Sequence, residues 1–565
     1  MARKTIKQHA MWREAEVGDA PPRRGKRRAC VVYPGPYAVA MANLGYQWLM
    51  HALANADFAV ARVVWPEAEL LEEATAETLR AIDDDRPARA ADVWFVSVSF
   101  ENDLSRLAGL LRLAGLSPWA EQRREDDPLI VAGGVAPSLN PEPISAFADV
   151  CLLGEGPAAL DPFLAYFATH DPRPRESFLR GLSELPNAYV GRYYQSSYDE
   201  DGRLTRLEPL AGFRDRVVVV KEKQIDPRVN RTHLRAPESA FGDALLVETA
   251  RGCVQRCRFC AAGHLFLPYR PAPPPDDAWS LGQEAVGLVG SNVSGHPQLD
   301  AWLEWSGDAR PALSSIRFNT LTAAQWRHLA ARGLLTAALA PETGAERLRR
   351  VCNKPITDEA IVAEVERAVE AGVRSLKLYF MIGLPTETPD DVQAIVELTR
   401  RCREAAMRAW KGHGRAGALT VSLNPFVPKP HTPFQWSPFG DPAELRAKIG
   451  QVRSALRRLP NIELQAESLP AAMLQAILSI GDRRVAELAV LVDQRGSVRP
   501  ALRAWSGDLD RYLLRPRTFG DVLPWDRVDP GVSRRYLERE YEAALAGRVS
   551  PVCFTRPACR LCGAC

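Results

Sequence analysis

The sequence predicts an α/β protein. An N-terminal doubly wound parallel-sheet domain, Rossmann-like, precedes a partial (β/α)6 barrel of the TIM type and a mainly helical C-terminal region. Three observations predict this. Residues 29–171 alternate apolar runs ending in Gly-rich turns with helical stretches. A second strand–helix series opens near residue 241, and from 437 the apolar period becomes that of helices. At 565 residues, with 46% hydrophobic and 25% charged side chains, the chain is too long for one core and has the composition of a soluble globular protein.

Residues 1–28 read as a basic flexible arm, because Arg23, Arg24, Lys26, Arg27 and Arg28 crowd "PPRRGKRRAC". The opening "MARKTIKQHAMWREAEVG" lacks the apolar core of an export signal, and no run of eighteen uncharged apolar residues exists. A cytoplasmic protein without a membrane span is expected. The net charge of +3 is too small to argue for a nucleic-acid partner by itself.

In residues 29–171 the strands are "ACVVY", "FAVARVV", "VWFVSVSF", "PLIVAGG" and "DVCLLGEG". Open parallel sheets bind ligands beyond the carboxyl ends of their strands. Those ends carry Tyr33 and Gly35, Ser97, Gly133 and Gly134, and Gly154, Glu155 and Gly156. Glycine there lets backbone approach a ligand closely, although tight turns alone also want it. Residues 172–240 form a connector in which Asp201-Gly202 signals a hairpin.

The barrel is placed at 241–436, with strands at "ALLVETA", "EAVGLVG", "LSSIRFN", "TAALAPE", "SLKLYFMIG" and "ALTVSLN". Thr357 caps one helix that ends at Gly372, and Thr388 caps another with Pro389 at its first position and Arg400, Arg401 and Arg403 towards its far end. Barrel chemistry lies at strand C-termini. Residues 437–550 read as a helical domain, and 551–565 as a Cys-rich tail.

Of eleven cysteines, Cys30, Cys151, Cys352 and Cys402 sit singly in apolar patterns and read as small core residues. Cys253, Cys257 and Cys260, at CxxxCxxC spacing, follow the first barrel strand. Thiolates select zinc or iron–sulfur clusters. His264 could complete a zinc tetrahedron. A cubane cluster instead takes one ligand per iron, so three cysteines leave one iron exchangeable, and Phe259 shields it from water. In the tail, Cys553, Cys559, Cys562 and Cys565 can close a second iron–sulfur cluster or a zinc site, or act as a thiol pair or sulfur donor.

Cys253, Cys257, Phe259 and Cys260 resemble the CxxxCxΦC signature of the radical SAM enzymes. The resemblance implies a 4Fe–4S cluster whose open iron binds S-adenosylmethionine, an external electron donor of the flavodoxin or ferredoxin type, and a 5′-deoxyadenosyl radical. It places Gly290, Ser291 and Asn292 where the family carries a Gly-Gly-Glu-like segment, here without its acid. "LAPETGAERL" puts Glu342 and Gly344 near the cosubstrate, and "KLYFMIGLPTET" puts the backbone near Met381, Ile382 and Gly383 beside the adenine, with Glu387 as the acidic end.

The front half is similar to the cobalamin-binding domain fused to one uncharacterised branch of these enzymes, through "YPGPYAVAMANLGYQWL", "SVSFENDL", "AGGVAPSLNPEP" and "LLGEGP". No cobalt-ligating His follows the first strand, where Tyr33 to Tyr37 stand. Cobalamin is therefore bound without a protein ligand below the cobalt, or not bound. The resemblance implies methyl transfer to an unactivated carbon. The alternatives are methylthiolation, since the Glu-x-x-Arg-Gly-Cys start also resembles tRNA methylthiotransferases, and an iron–sulfur redox sensor or electron carrier. RNA, peptide, lipid and antibiotic substrates all stay open. In "NPFVPKPHTPFQW", Phe426, Phe434 and Trp436 are expected to cover the barrel mouth and touch the substrate, or else to wedge between domains.

Overall fold

The computed structural model describes residues 2–71, 79–276, 282–412, 414, 417–553, 559 and 561–564. Its front sheet has six strands. Five are parallel: Arg27–Tyr33, Phe58–Val64, Val93–Ser97, Leu129–Gly133 and Val150–Leu152. The short strand Ala188–Tyr189 closes the edge antiparallel. Strand order reverses between Arg27–Tyr33 and Val93–Ser97, because Phe58–Val64 lies on the outer side of the first strand. Ligands of doubly wound sheets bind at that reversal. Cys30 and Cys151 are fully buried in this core, as Cys352 and Cys402 are in the barrel.

The basic arm is corrected. Ala2–Ala15 is a helix, and Thr5, His9 and Trp12, at i, i+4 and i+7, form its buried face. Trp12 stacks on Tyr37 at 4.0 Å and donates its indole N–H to Glu238 at 2.7 Å. Beyond the helix, Val17 pairs antiparallel with Arg235. Arg28 belongs to the first strand and bonds Asp84 at 2.8 and 3.0 Å. Of the basic cluster only Arg23, Arg24 and Lys26 are exposed, and Lys26 lies 3.5 Å from Asp57.

The connector forms the expected hairpin, Tyr194–Tyr198 against Leu204–Pro209. The barrel then runs as two parallel ribbons. Leu245–Arg251, Ala285–Gly290 and Arg310–Leu313 make the first; Thr336–Glu342, Ser375–Ile382, Ala418–Pro425 and Ile462–Ala466 make the second. An isolated parallel bridge, Ile316 to Leu339, joins them.

Three details differ from expectation. The third strand stops at Leu313 because Ser314 and Ser315 turn their hydroxyls onto the peptide of Gly290 at 2.9–3.0 Å. Ile462–Ala466, within the stretch read as helical, adds a strand to the barrel edge. The helix after Thr388 runs to Gly412, so Arg400, Arg401 and Arg403 sit at mid-length. Its start is fixed by Asp391, which accepts from the Thr388 N–H at 2.7 Å and from its hydroxyl at 2.9 Å. The cap at Thr357 is as read, accepting from the Ala360 N–H.

The two halves are clasped at Glu155. This carboxylate, 4% exposed, takes hydrogen bonds from Arg270 at 2.7 and 2.8 Å, from Arg251 at 3.1 Å and from the Glu222 N–H at 3.1 Å. Arg251 closes the first barrel strand and Arg270 lies just beyond the cysteine loop.

Candidate iron–sulfur active site

Cys253, Cys257 and Cys260 occupy the loop after the first barrel strand. Burial pushes the Cys257 thiol up to about 12 and the Cys260 thiol to about 11, and raises Cys253 as well. The three thiols feel one another's charge, and Lys354 and Arg317 pull Cys253 and Cys257 the other way. Protonated while metal-free, these groups must release protons to bind metal.

The His264 zinc alternative fails on geometry. Its Nε2–H meets the Cys257 carbonyl at 3.2 Å, and burial holds the ring neutral, its pKa lowered to about 3. Among the described residues the one trio of ligand atoms within 4.8 Å of each other is Asp19, His51 and His233. Thiolates around one zinc at 2.3 Å would stand roughly 3.8 Å apart. As for the trio, its two imidazoles are stacked face to face at 4.0 Å, which points their lone pairs in parallel rather than at a common ion.

Phe259 packs on a buried group containing Leu348, Cys352, Leu384, Phe426 and Phe434, and Met381 joins it. At the second strand's end Asn292 accepts from Arg317 at 3.2 Å, while Ser291 is exposed. Arg317 faces Cys253 and Cys257, and burial lowers its pKa. Glu342 ends the fourth strand at φ +69°, past a register shift, and pairs with Lys354 at 2.8 Å. The Gly383 N–H is held by Glu387 at 2.9 and 3.0 Å, and Lys448 neutralises that acid.

Sequence reasoning missed Arg317 and Lys354. Each carried a signal: a cation between Ile316 and Phe318 in "SSIRFN", and a lysine in a Pro turn, "NKPIT", directly before a helix cap.

Other assignments are corrected. A Cβ on Gly344 would fall 2.1 Å from the Ile395 backbone N, so this glycine serves helix packing. Phe426, Phe434 and Trp436 are 0–1% exposed; the phenylalanines pack against Leu348 and Ala544, and Trp436 against Leu267 and Tyr536. They wedge the barrel to the C-terminal region and offer no free face to a substrate.

In the front sheet, Glu155 is taken by arginines. Gly134 and Gly154 approach the backbones of Val98 and Val220, where a Cβ would fall 2.5 and 2.3 Å from a carbonyl oxygen, and Gly35 lies under the Tyr33 ring. Tyr33 itself packs edge-on against Tyr46. Ser97, Gly133, Gly134, Gly154 and Gly156 all line a cavity of about 130 Å³ at the strand ends, walled by Trp48, Phe95 and Leu160.

In the tail, Cys553 and Cys562 are buried, Cys559 is half-buried, and Cys565 lies outside the described residues. Among the described residues no helix is long and apolar enough to cross a membrane.

A parallel half-barrel with three converging thiols, cations and a carboxylate at its mouth defines an iron–sulfur enzyme of the partial-barrel class. The family comparisons agree. Residues 45–191 match the family described as radical SAM proteins, N-terminal, and residues 247–399 match the radical SAM superfamily. The chain belongs to the radical SAM superfamily.

An uncharacterized protein of Methanocaldococcus jannaschii is 28% identical over 453 residues, covering 77% of this chain and 87% of that protein. The tRNA-2-methylthio-N(6)-dimethylallyladenosine synthase of Ruegeria sp. is 24% identical over 254 residues, 40% of this chain and 56% of that enzyme. Among solved structures, the cobalamin-dependent S-adenosylmethionine radical enzyme OxsB with aqua-cobalamin bound is 15% identical with a TM-score of 0.40, over 66% of this chain. The chain spans 52% of OxsB's length.

Proposed function

We propose that this protein is a cobalamin-dependent radical SAM enzyme that moves a methyl group to an unactivated carbon. The observation that carries the reading is the cavity at the front sheet's strand ends, held in fixed register with the barrel by the Glu155 clasp. Gly133 and Gly156 leave room there: a Cβ on either would meet nothing closer than 3.6 Å. The apolar wall of Trp48, Phe95 and Leu160, with Ser97 as its hydroxyl, suits the flat heteroaromatic end of a cobalamin.

Cys253, Cys257 and Cys260 would hold the 4Fe–4S cluster, which when bound supplies the electron that cleaves S-adenosylmethionine. An external flavodoxin- or ferredoxin-type protein would deliver that electron. Arg317, oriented by Asn292, offers a guanidinium to a carboxylate. Glu342, held by Lys354, offers an acceptor to an ammonium. Phe259 and its apolar neighbours exclude water from the thiolate loop. The carbon that is methylated, and the molecule that carries it, stay open.

A second reading is sulfur insertion. It is favoured by the tail thiols beside the cysteine loop and by the likeness to the Ruegeria methylthio-forming enzyme.

The experiment is anaerobic reconstitution with iron, sulfide and hydroxocobalamin. S-adenosylmethionine carrying a deuterated methyl group and a low-potential reductant follow. Formation of 5′-deoxyadenosine and a retained cobalamin absorption spectrum are expected. Absence of 5′-deoxyadenosine from cluster-loaded protein overturns the radical reading; uptake of no cobalamin overturns the methyl-transfer reading.

A further inference from the structure

The segment that buries Phe434 and Trp436 also carries His431 and Gln435, and these two polar residues line a cleft of about 610 Å³. It lies between the hairpin strand Leu204–Pro209 and residues 522–534. A second lobe of about 350 Å³ continues it past Thr205, Val522 and Leu523, which line both. The hairpin wall is fastened in place. Arg484 and Arg511 donate to the Gly202 carbonyl at 2.9 and 3.0 Å, and the Arg484 guanidinium lies 3.6 Å from the Tyr198 ring centroid.

Two polar groups of this cleft have no partner. The first is Nε2 of His431, a residue 5% exposed with left-handed backbone at φ +59°. Its backbone N–H is spent on Gln435 Oε1 at 3.0 Å, and that oxygen also accepts from the Trp525 indole at 2.7 Å. With both lone pairs taken, Gln435 Oε1 cannot serve the imidazole. Burial holds the ring neutral, its pKa lowered to about 3. A buried ring nitrogen left without a hydrogen bond is costly, and a hydroxyl could either donate to it or accept from it.

The second group is Arg517. Its backbone N–H is fixed on the Trp436 carbonyl at 2.9 Å, while its Nη1 is enclosed and unpartnered. The smaller lobe sets five arginines, Arg203, Arg484, Arg511, Arg515 and Arg517, against Asp199, Asp482 and Asp521. Arg484 pairs with Asp482 at 2.7 Å and Arg515 with Asp521 at 3.5 Å. Arg203 and Arg511 lean on Asp201 and Asp508 at 3.7 and 3.5 Å. Asp199 accepts from the Arg203 N–H at 2.7 Å. The charges that act on Arg517 are Asp521 and Arg515, and they oppose each other. One guanidinium is thus left over, and its flat fork matches a carboxylate or a phosphate.

The larger lobe has no such surplus. Arg527 and Arg534 pair with Asp215 and Asp526, and Arg206 and Arg216 are matched in number by Glu208 and Asp529. An anion therefore belongs in the smaller lobe and a neutral hydrogen-bonding body in the larger. Both volumes fall in the range of small-molecule sites, about 300–1,000 Å³.

We propose that this two-lobed cleft binds a hydroxyl-bearing anion, with its phosphate or carboxylate on Arg517 and its hydroxylated body against His431. The proposal rests on neither the cobalamin cavity nor the cysteine loop, and goes beyond the methyl-transfer reading.

The test is titration calorimetry of the full chain, reconstituted with iron and sulfide, at neutral pH and low salt. Three probes are used: adenosine 5′-monophosphate, gluconate and neutral adenosine. Saturable binding of at least one anion is expected, and none of adenosine; the anion that binds identifies phosphate or carboxylate. Arg517→Gln should weaken that anion about tenfold to a hundredfold, the worth of a charge-assisted contact. It should melt no lower than the parent, because it removes an uncompensated charge. His431→Phe should weaken binding about twofold to tenfold, the worth of one neutral hydrogen bond.

Binding of neither anion overturns the proposal. So does an affinity unchanged in Arg517→Gln, or equal affinity for adenosine and its monophosphate. Should Arg517→Gln not fold, Arg517→Lys decides: it keeps the charge and loses the fork, so it should bind more weakly than wild type, and an unchanged affinity overturns the site.

Discussion

Lys354 places its ammonium 2.8 Å from Glu342 Oε1 and 2.6 Å from the carbonyl of Ala340, so the carboxylate at the end of the fourth barrel strand carries its own counter-ion. The two side chains are 12% and 14% exposed. Breaking a buried pair by removing one member strands the other, at a cost of about 3 kcal/mol or more. Lys354→Met should therefore lower thermal stability by that order. It should also reduce 5′-deoxyadenosine formation at least tenfold, because Cys257 loses the cation that favours its thiolate. A variant of wild-type stability and rate would show that the pair is ornamental.

At the clasp, Glu155→Gln would leave Arg270 and Arg251 without the carboxylate that now receives both. Replacing a buried carboxylate between two guanidiniums costs about 3–5 kcal/mol. Calorimetry of the variant should show the front half melting separately from and before the barrel, where the parent melts as one unit.

The buried aromatics on the barrel's flank make a different demand. Trp436 is fully buried, and truncation of such a side chain costs about 3–5 kcal/mol through lost transfer energy and a cavity. Trp436→Ala should thus appear as lost stability, with residual activity per folded molecule unchanged. Trp436→Phe should cost much less, since the indole N–H has no partner to lose.

Asp103, 8% exposed at the start of the helix Asp103–Leu113 that follows the front sheet's third strand, has its carboxyl raised from 3.8 to about 6, chiefly by burial. Its folded value lies above its unfolded one. The folded chain therefore holds a proton that the unfolded chain has released, and stability falls as pH rises from about 4 to 6. Above that window the full cost remains, about 3 kcal/mol for a shift of this size. Asp103→Asn keeps an acceptor for the Phe100 N–H, now at 3.0 Å. It should raise the melting temperature at pH 7.5 and leave it unchanged at pH 3.5, as a thermal melt at the two values would show.

Much of the fold was legible because continuous apolar strands and capped helices signal themselves locally: Thr357 and the hairpin at Gly202 lie where the pattern puts them. The cysteine loop was legible for the same reason, since its spacing is written in consecutive residues. What escaped was decided across the chain. Arg317 and Lys354 reach the thiols only after two distant strand ends converge. Gly344 looked like a ligand glycine, but its close neighbour is a helix, which no local pattern announces. The helix Ala2–Ala15 escaped because its polar composition hides a single buried face carried by Trp12.

That helix has a consequence for synthesis. Trp12 finds Glu238, and Val17 finds Arg235, more than two hundred residues downstream. At about 5–20 residues per second on the ribosome, the Trp12 indole N–H and Val17 wait roughly ten to forty seconds for Glu238 and Arg235, although Trp12 can already stack on Tyr37.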